Sequence, residues 1–235
     1  MCGSFSRISS AKTFLNLTPQ STRATANILV MYCNPSARSW QSQYSIDSAV
    51  LSYHETLPDY GWTPLRTLPH SVSKRLGVGA VLLKDESRRF GLPAYKILGA
   101  SWACYRALTK HLCLPSAIPV SALKAVAATR SVNIYTATDG NWGRAVARTA
   151  AMLGVEAHIY VPRVMMDNTK RKIQDERAAV LVVDGDYDLA VKEAERASIE
   201  MGGLLIEDTA WPGYEEIPQV SLIHKSCATA EHLSG

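Results

Sequence analysis

Between Val132 and Ile206 short apolar runs alternate with longer amphipathic stretches, and few architectures accept that pattern. Val132–Thr136 reads as a strand, and Trp142–Leu153 as a helix closed by Gly154. His158–Val161 is a strand stopped at Pro162, followed by a helix over Asn168–Ala178 and a strand at Val180–Val183. A helix over Tyr187–Met201 ends in Gly202-Gly203, and Leu204–Ile206 is the last strand. Four apolar runs separated by helices predict a parallel sheet with helical crossovers, an α/β domain.

Upstream the pattern is looser. Ser45–His54 reads as a short helix, and Pro58–Pro69 as a turn region. Within that region Thr63-Pro64-Leu65 is extended, because a residue before proline is pushed from helical geometry. Val81–Leu83 is expected to be a buried strand. Leu98, Trp102, Tyr105, Leu108 and Leu112 fall near helical spacing, so Ile97–Leu112 is expected to be a helix. A proline-interrupted linker, Pro115–Pro119, joins it to the alternating region.

Composition excludes several classes. The 235 residues are 47% hydrophobic and 20% charged, which suits a folded globular chain. No apolar run approaches the roughly 18 to 20 residues needed to span a bilayer. Net charge is only +4, and the cluster Lys170-Arg171-Lys172 reads as a solvated helix face rather than a nucleic-acid surface. Five scattered cysteines without a Cys-x-x-Cys pair point to reduced structural thiols, a cytoplasmic compartment and no zinc site. The first acidic residue is Asp47. An acid-free start suits a mitochondrial transit segment, a disordered leader over residues 1–33, or initiation at Met31.

Two segments carry candidate chemistry. In KDESRRFGLPAYKILGA (84–100), Lys96 opens a helix between Tyr95 and Ile97. An amine desolvated there is free for imine chemistry. After the first strand of the alternating region comes Thr138-Asp139-Gly140-Asn141-Trp142-Gly143. Ligands of parallel sheets sit beyond the carboxyl ends of the strands, where helix N-termini favour anions. Arg88 and Arg89 read as surface charges. Trp211 and Tyr214 suit either the mouth of a site or packing between elements.

The segments NPSARSW (34–40), TPLRTLP (63–69), KDESRRFGLPAYKILGASWA (84–103), TATDGNWGRAVA (136–147) and DTAWPGYEEIP (208–218) together resemble diaminopropionate ammonia-lyases. These are fold-type II enzymes of the tryptophan synthase β-like superfamily, which use pyridoxal 5'-phosphate (PLP). The resemblance implies that Lys96 holds PLP covalently and acts as base at the substrate Cα. It implies that Asn141 bonds the ring's phenolic oxygen and that Thr138, Asp139 and Gly140 receive the substrate carboxylate. Asp139 would double as acid/base or as a contact to the β-amino group, with Asp208 a second candidate for that ammonium. The implied reaction is α,β-elimination of 2,3-diaminopropionate to pyruvate and ammonia by a homodimer acting on a small amino acid.

The same resemblance divides the chain into a leader (1–33), the first part of a cofactor domain (34–96), a small α/β domain (97–215) and a divergent tail (216–235). Past Pro218 the similarity stops, and the expected Gly-rich phosphate loop does not follow. The expectation is an incomplete cofactor domain in a truncated version of a longer enzyme. Trp142 stands where the family has histidine, and its bulk is expected to crowd the cofactor ring. The alternatives are a dehydratase-like PLP enzyme acting on serine or threonine, and an inactive fragment. Asp139 speaks against the former, since a neutral hydroxyl does not call for a carboxylate.

Overall fold

In a computed structural model the described residues are 48–222. The expected leader, the start of the first helix (45–47) and most of the divergent tail lie outside them. The described residues belong to one unit that runs over 42–235.

The elements follow in the order α1 (Ser48–Glu55), β1 (Leu65–Thr67), α2 (His70–Leu76), β2 (Leu82–Lys84), α3 (Lys96–His111) and α4 (Val120–Ala127), then β3 (Asn133–Ala137), α5 (Asn141–Leu153) and β4 (Glu156–Pro162), and finally α6 (Asp167–Gln174), β5 (Ala179–Val183), α7 (Tyr187–Glu200) and β6 (Leu204–Leu205). A 3₁₀ turn at Arg89–Gly91 precedes α3. Strands β3 to β6 make the parallel sheet, ordered β5-β4-β3-β6. β1 and β2 form a separate antiparallel pair.

The chain steps outward from β3 to β5, then α7 carries it back across β3 and β4 to place β6 on the other side. Strand alternation sorts the two faces. Ile134, Ala157, Ile159 and Val161 join the main core with α3, α4 and α5. Ala137, Tyr160, Val183 and Leu205 pack with Ala190 and Ala194 of α7. Alanines on both sides let the helices lie close to the sheet.

Local signals explain the boundaries. Gly154 takes φ 74° and closes α5, a left-handed cap that glycine adopts without steric penalty. A Cβ at Gly143 would come within 2.3 Å of Thr138 Cγ2 and 2.9 Å of Ile159 Cγ2, so this glycine lets α5 pass close to the sheet. Asp186 caps α7 by accepting the Leu189 N–H.

Several expectations are corrected. α6 stops at Gln174 rather than Ala178. Arg177 turns through φ 68°, and Ala178 is already buried at the approach to β5. α2 and α4 fall outside the expected helices. Each starts directly after a proline, Pro69 and Pro119, with no side-chain cap to announce it. β2 is not buried, since Leu82 and Leu83 are 57% and 49% exposed. Among the described residues it pairs with β1 alone, and no layer covers its apolar side chains.

Arg89 is not a surface charge. It is fully buried, and its guanidinium donates to Glu86, to Thr63 Oγ1 and to the Gly61 carbonyl. Burial works against the Glu86 carboxylate, but bonds from Arg89 and Thr63 prevail and hold it below its usual range. Arg171 and Lys172 are exposed on α6, as a solvated face requires. Cys104 is a buried free thiol and Cys113 an exposed one. No helix among the described residues is long and apolar enough to cross a membrane, and no cluster of metal-ligating side chains occurs among them.

Candidate active site

Strand order fixes where a ligand would sit. β3 has β4 on one side and β6 on the other, and the connections leaving β3 and β6 diverge at their carboxyl ends. In an open α/β sheet such a reversal of strand order opens a crevice. The exit from β3 is Thr138-Asp139-Gly140, leading into α5 at Asn141. The exit from β6 is Ile206-Glu207-Asp208.

Lys96, first residue of α3, reaches this crevice. Its Nζ donates to Asp208 Oδ2 at 2.7 Å, and the two side chains remain 35% and 24% exposed. The expected apolar enclosure of the amine is therefore corrected. Ile97 is buried, but Tyr95 is half exposed, and the partner of the amine is a carboxylate. Solvent, and hence a ligand, has access to Nζ.

The β3 exit is shaped by Thr138. Its hydroxyl oxygen accepts the N–H groups of Gly140 and Gly143, both at 3.0 Å, which turns the chain into α5. Thr138 is buried, Gly140 half-buried, and Asp139 and Asn141 exposed. Asp139 and Asp208 act on a common neighbour, the Tyr187 hydroxyl at the start of α7. Burial first, then Glu207, Asp208 and Asp139 push that phenol up to about 12, while a bond with Thr209 opposes them. Sheet order thus gathers the carboxylates from both exits around one end of the sheet.

Trp142 is turned inward and is only 4% exposed. Its indole N–H donates to Thr136 Oγ1 and to the Ile206 carbonyl, each at 3.1 Å, tying the ends of β3 and β6 together. The ring centroid lies 6.0 Å from Lys96 Nζ. This indole is a fixed wall rather than a loose side chain in the crevice. Tyr214 donates to the Leu205 carbonyl at 2.8 Å and accepts the Glu207 N–H at 2.9 Å, while its ring stacks on Trp211. Of the two roles open to Tyr214, packing behind the crevice is the one the bonds define.

Glu207 is the residue that sequence reasoning missed. It is fully buried, and its Oε1 accepts the Ala137 N–H and the Thr136 hydroxyl, the latter at 3.1 Å. Oε2 has no hydrogen-bond partner. Burial raises this carboxyl to about 8 against the bonds to Ala137 and Thr136, with Asp208 adding to the rise and Lys96 opposing it. Written as Ile-Glu-Asp after a two-leucine strand, it looks like the first loop residue. Carrying strand alternation past Leu205 would have placed it on the inward face occupied by α7.

A solvent-accessible lysine at the start of a flanking helix, beside a crevice at the switch of strand order, suits an enzyme that binds a carbonyl cofactor through an amine. The pyridoxal-phosphate dependent enzyme family matches residues 56–223, and the chain belongs to that family. It is 40% identical over 178 residues to a diaminopropionate ammonia-lyase of Salmonella typhimurium, covering 74% of this chain and 44% of that protein. Against the Escherichia coli enzyme of the same name identity is 36% over 168 residues, 71% of this chain and 42% of that one. The crystal structure of the E. coli enzyme with D-serine superposes with a TM-score of 0.73 at 32% identity, covering 80% of this chain and 48% of that chain. Threonine deaminase isoform 2 from Solanum lycopersicum shares the fold alone, at 19% identity and a TM-score of 0.56. The chain spans less than half the length of the curated relatives it matches.

The residues present fit the aldehyde end of PLP. An accessible amine stands at a helix start, a carboxylate 2.7 Å away can take or return its proton, and an aromatic wall lies behind it.

Proposed function

We propose that this chain carries the lysine half of a diaminopropionate ammonia-lyase site, acting on 2,3-diaminopropionate to release pyruvate and ammonia. The observation that carries this reading is the Lys96–Asp208 pair at the switch of strand order, with Asp139 on the facing exit. Bound through Lys96, PLP supplies an electron sink for the pair left when Cα loses its proton.

The chain's own residues do the rest. Once the substrate's own α-amine had displaced it from the cofactor carbonyl carbon, the Lys96 amine would be free to take the Cα proton, with Asp208 within hydrogen-bond reach to hold it in place. The loop Thr138–Asn141 offers α5 N-terminal amides to the substrate carboxylate. Asn141, exposed at the start of α5, would hydrogen-bond the phenolic oxygen of the ring. Asp139 and Asp208 would hold the β-ammonium, which leaves as ammonia when the Cβ–N bond breaks and the electron pair freed at Cα forms the carbon–carbon double bond. Water then hydrolyses the unsaturated amine to pyruvate and a second ammonia.

The reading places Lys96 at the join of two parts, residues 34–96 of a cofactor domain and the α/β domain 97–215. A homodimer of the intact enzyme and a cytoplasmic location complete it, the latter supported by free Cys104 and Cys113.

The test is to incubate the purified chain with PLP, reduce with borohydride and map the pyridoxyl group by mass spectrometry. Label on Lys96 is expected, together with pyruvate release from diaminopropionate exceeding that from serine. Label elsewhere, or none, overturns the reading. Equal or faster release from serine favours the dehydratase alternative.

A further inference from the structure

The carboxyl group of Glu207 is out of place by ordinary rules. An ionised carboxylate accepts at both oxygens, and a fully buried one with an empty oxygen loses solvation without replacement. Both donors here, the Ala137 N–H and the Thr136 hydroxyl, converge on Oε1, and Oε2 has none. One residue along the chain stands Asp208, already paired with Lys96. The neighbouring Asp208 carboxylate adds to the cost of placing a charge on buried Glu207.

We propose that Glu207 is a positioning residue that works as the neutral acid, which costs less to bury than a carboxylate with an empty oxygen, so that Asp208 alone supplies negative charge to Lys96. The inference rests on the reading of Lys96 as the PLP lysine. The groups that face Glu207 agree with it. Asp208 follows it in the chain, Tyr187 approaches from α7, and Tyr214 holds its backbone N–H. Lys96 of α3 brings the positive charge, and that charge is engaged by Asp208.

Neutral Glu207 also organises the crevice wall. Thr136 Oγ1 accepts from the Trp142 indole and directs its proton to Glu207 Oε1 at 3.1 Å, with the more distant Ala137 carbonyl at 3.3 Å as the other acceptor in reach. Trp142 in turn bonds the Ile206 carbonyl, immediately before Glu207. The acid, the hydroxyl and the indole therefore close a ring of bonds between the β3 and β6 exits. Charging Glu207 would put a second carboxylate beside Lys96 and pull on that ring.

The experiment is a pH titration followed by NMR without PLP, reading glutamate side-chain carbonyl carbons and the Trp142 indole N–H. The carbonyl signal missing from Glu207→Gln is expected to titrate near 8, with the indole signal moving in step. In Glu207→Gln the indole step disappears. A Glu207 signal that titrates at the ordinary carboxylate value, or an indole step that survives in Glu207→Gln, overturns the proposal. With PLP added, Glu207→Leu is expected to weaken binding about tenfold, and Glu207→Gln to recover most of that loss. Equal binding by the two variants counts against a positioning role. If Lys96 takes no pyridoxyl label while Glu207 still titrates near 8, the reading of Lys96 fails and the neutral acid stands.

Discussion

Lys96 Nζ donates to Asp208 Oδ2 at 2.7 Å across 112 residues of sequence. The pair joins the first residue of α3 to the exit of β6, and both side chains keep contact with solvent. A half-exposed ion pair contributes on the order of 0–1 kcal/mol to stability. Folding therefore gains little from the pair, which leaves it free for the proton handling proposed above.

Asp208 therefore has two separable readouts, stability and turnover. Asp208→Asn keeps a side chain of the same shape but removes the charge. Its unfolding free energy in urea is expected to change by less than about 1 kcal/mol. Turnover of diaminopropionate is expected to fall by roughly 10²–10⁴, as for loss of a proton-handling group. Lys96→Ala is expected to leave no pyridoxyl label on that helix. A large stability loss in Asp208→Asn with little change in turnover would assign the pair to folding instead.

Glu207 gives stability a definite pH dependence. Its carboxyl is raised in the folded state to about 8 from 4.5, so the native chain holds a proton that the unfolded chain releases earlier. The stabilisation is full below the unfolded value and is lost as pH rises through the folded one. Wild type should therefore lose stability relative to Glu207→Gln between about 4.5 and 8. Thermal unfolding of the two proteins across that range checks the sign. Parallel curves would show that Glu207 is ionised in the fold.

Arg89 should matter far more than its place in a charged segment suggests. Arg89→Met leaves Glu86 and Thr63 without their buried donor. Breaking one side of a buried pair costs about 3–5 kcal/mol, which urea unfolding would register. Arg88→Met, on an exposed side chain, is expected to stay within about 0.5 kcal/mol. Equal effects would mean that Arg89 is solvated.

Two glycines of the same loop should respond in opposite ways. A Cβ at Gly143 meets Thr138 and Ile159 below 3 Å, whereas at Gly140 nothing lies within 4 Å. Gly143→Ala is expected to destabilise by about 1–3 kcal/mol or more through overpacking. Gly140, at φ −178°, has extended backbone open to any residue, so Gly140→Ala is expected to fold normally. Comparable unfolding midpoints for the two would show that α5 can shift away from the sheet.

The sequence by itself determined the elements whose signals are local. Alternating apolar runs and helices announced β3 to β6, Gly154 announced the end of α5, and Lys96 was placed correctly at the first turn of α3. α2 and α4 escaped because prolines alone mark their starts, and β2 was misjudged because an apolar run does not say whether a covering layer exists. Only the tertiary structure decided strand order, and strand order puts the β6 exit beside the β3 exit and under Lys96. Burial separates two neighbouring acids that look alike on paper, leaving Asp208 at the amine and Glu207 sealed behind it. The physical reason is that propensity acts over a turn of chain, whereas desolvation and ion pairing depend on which distant segments come to share the same few ångströms.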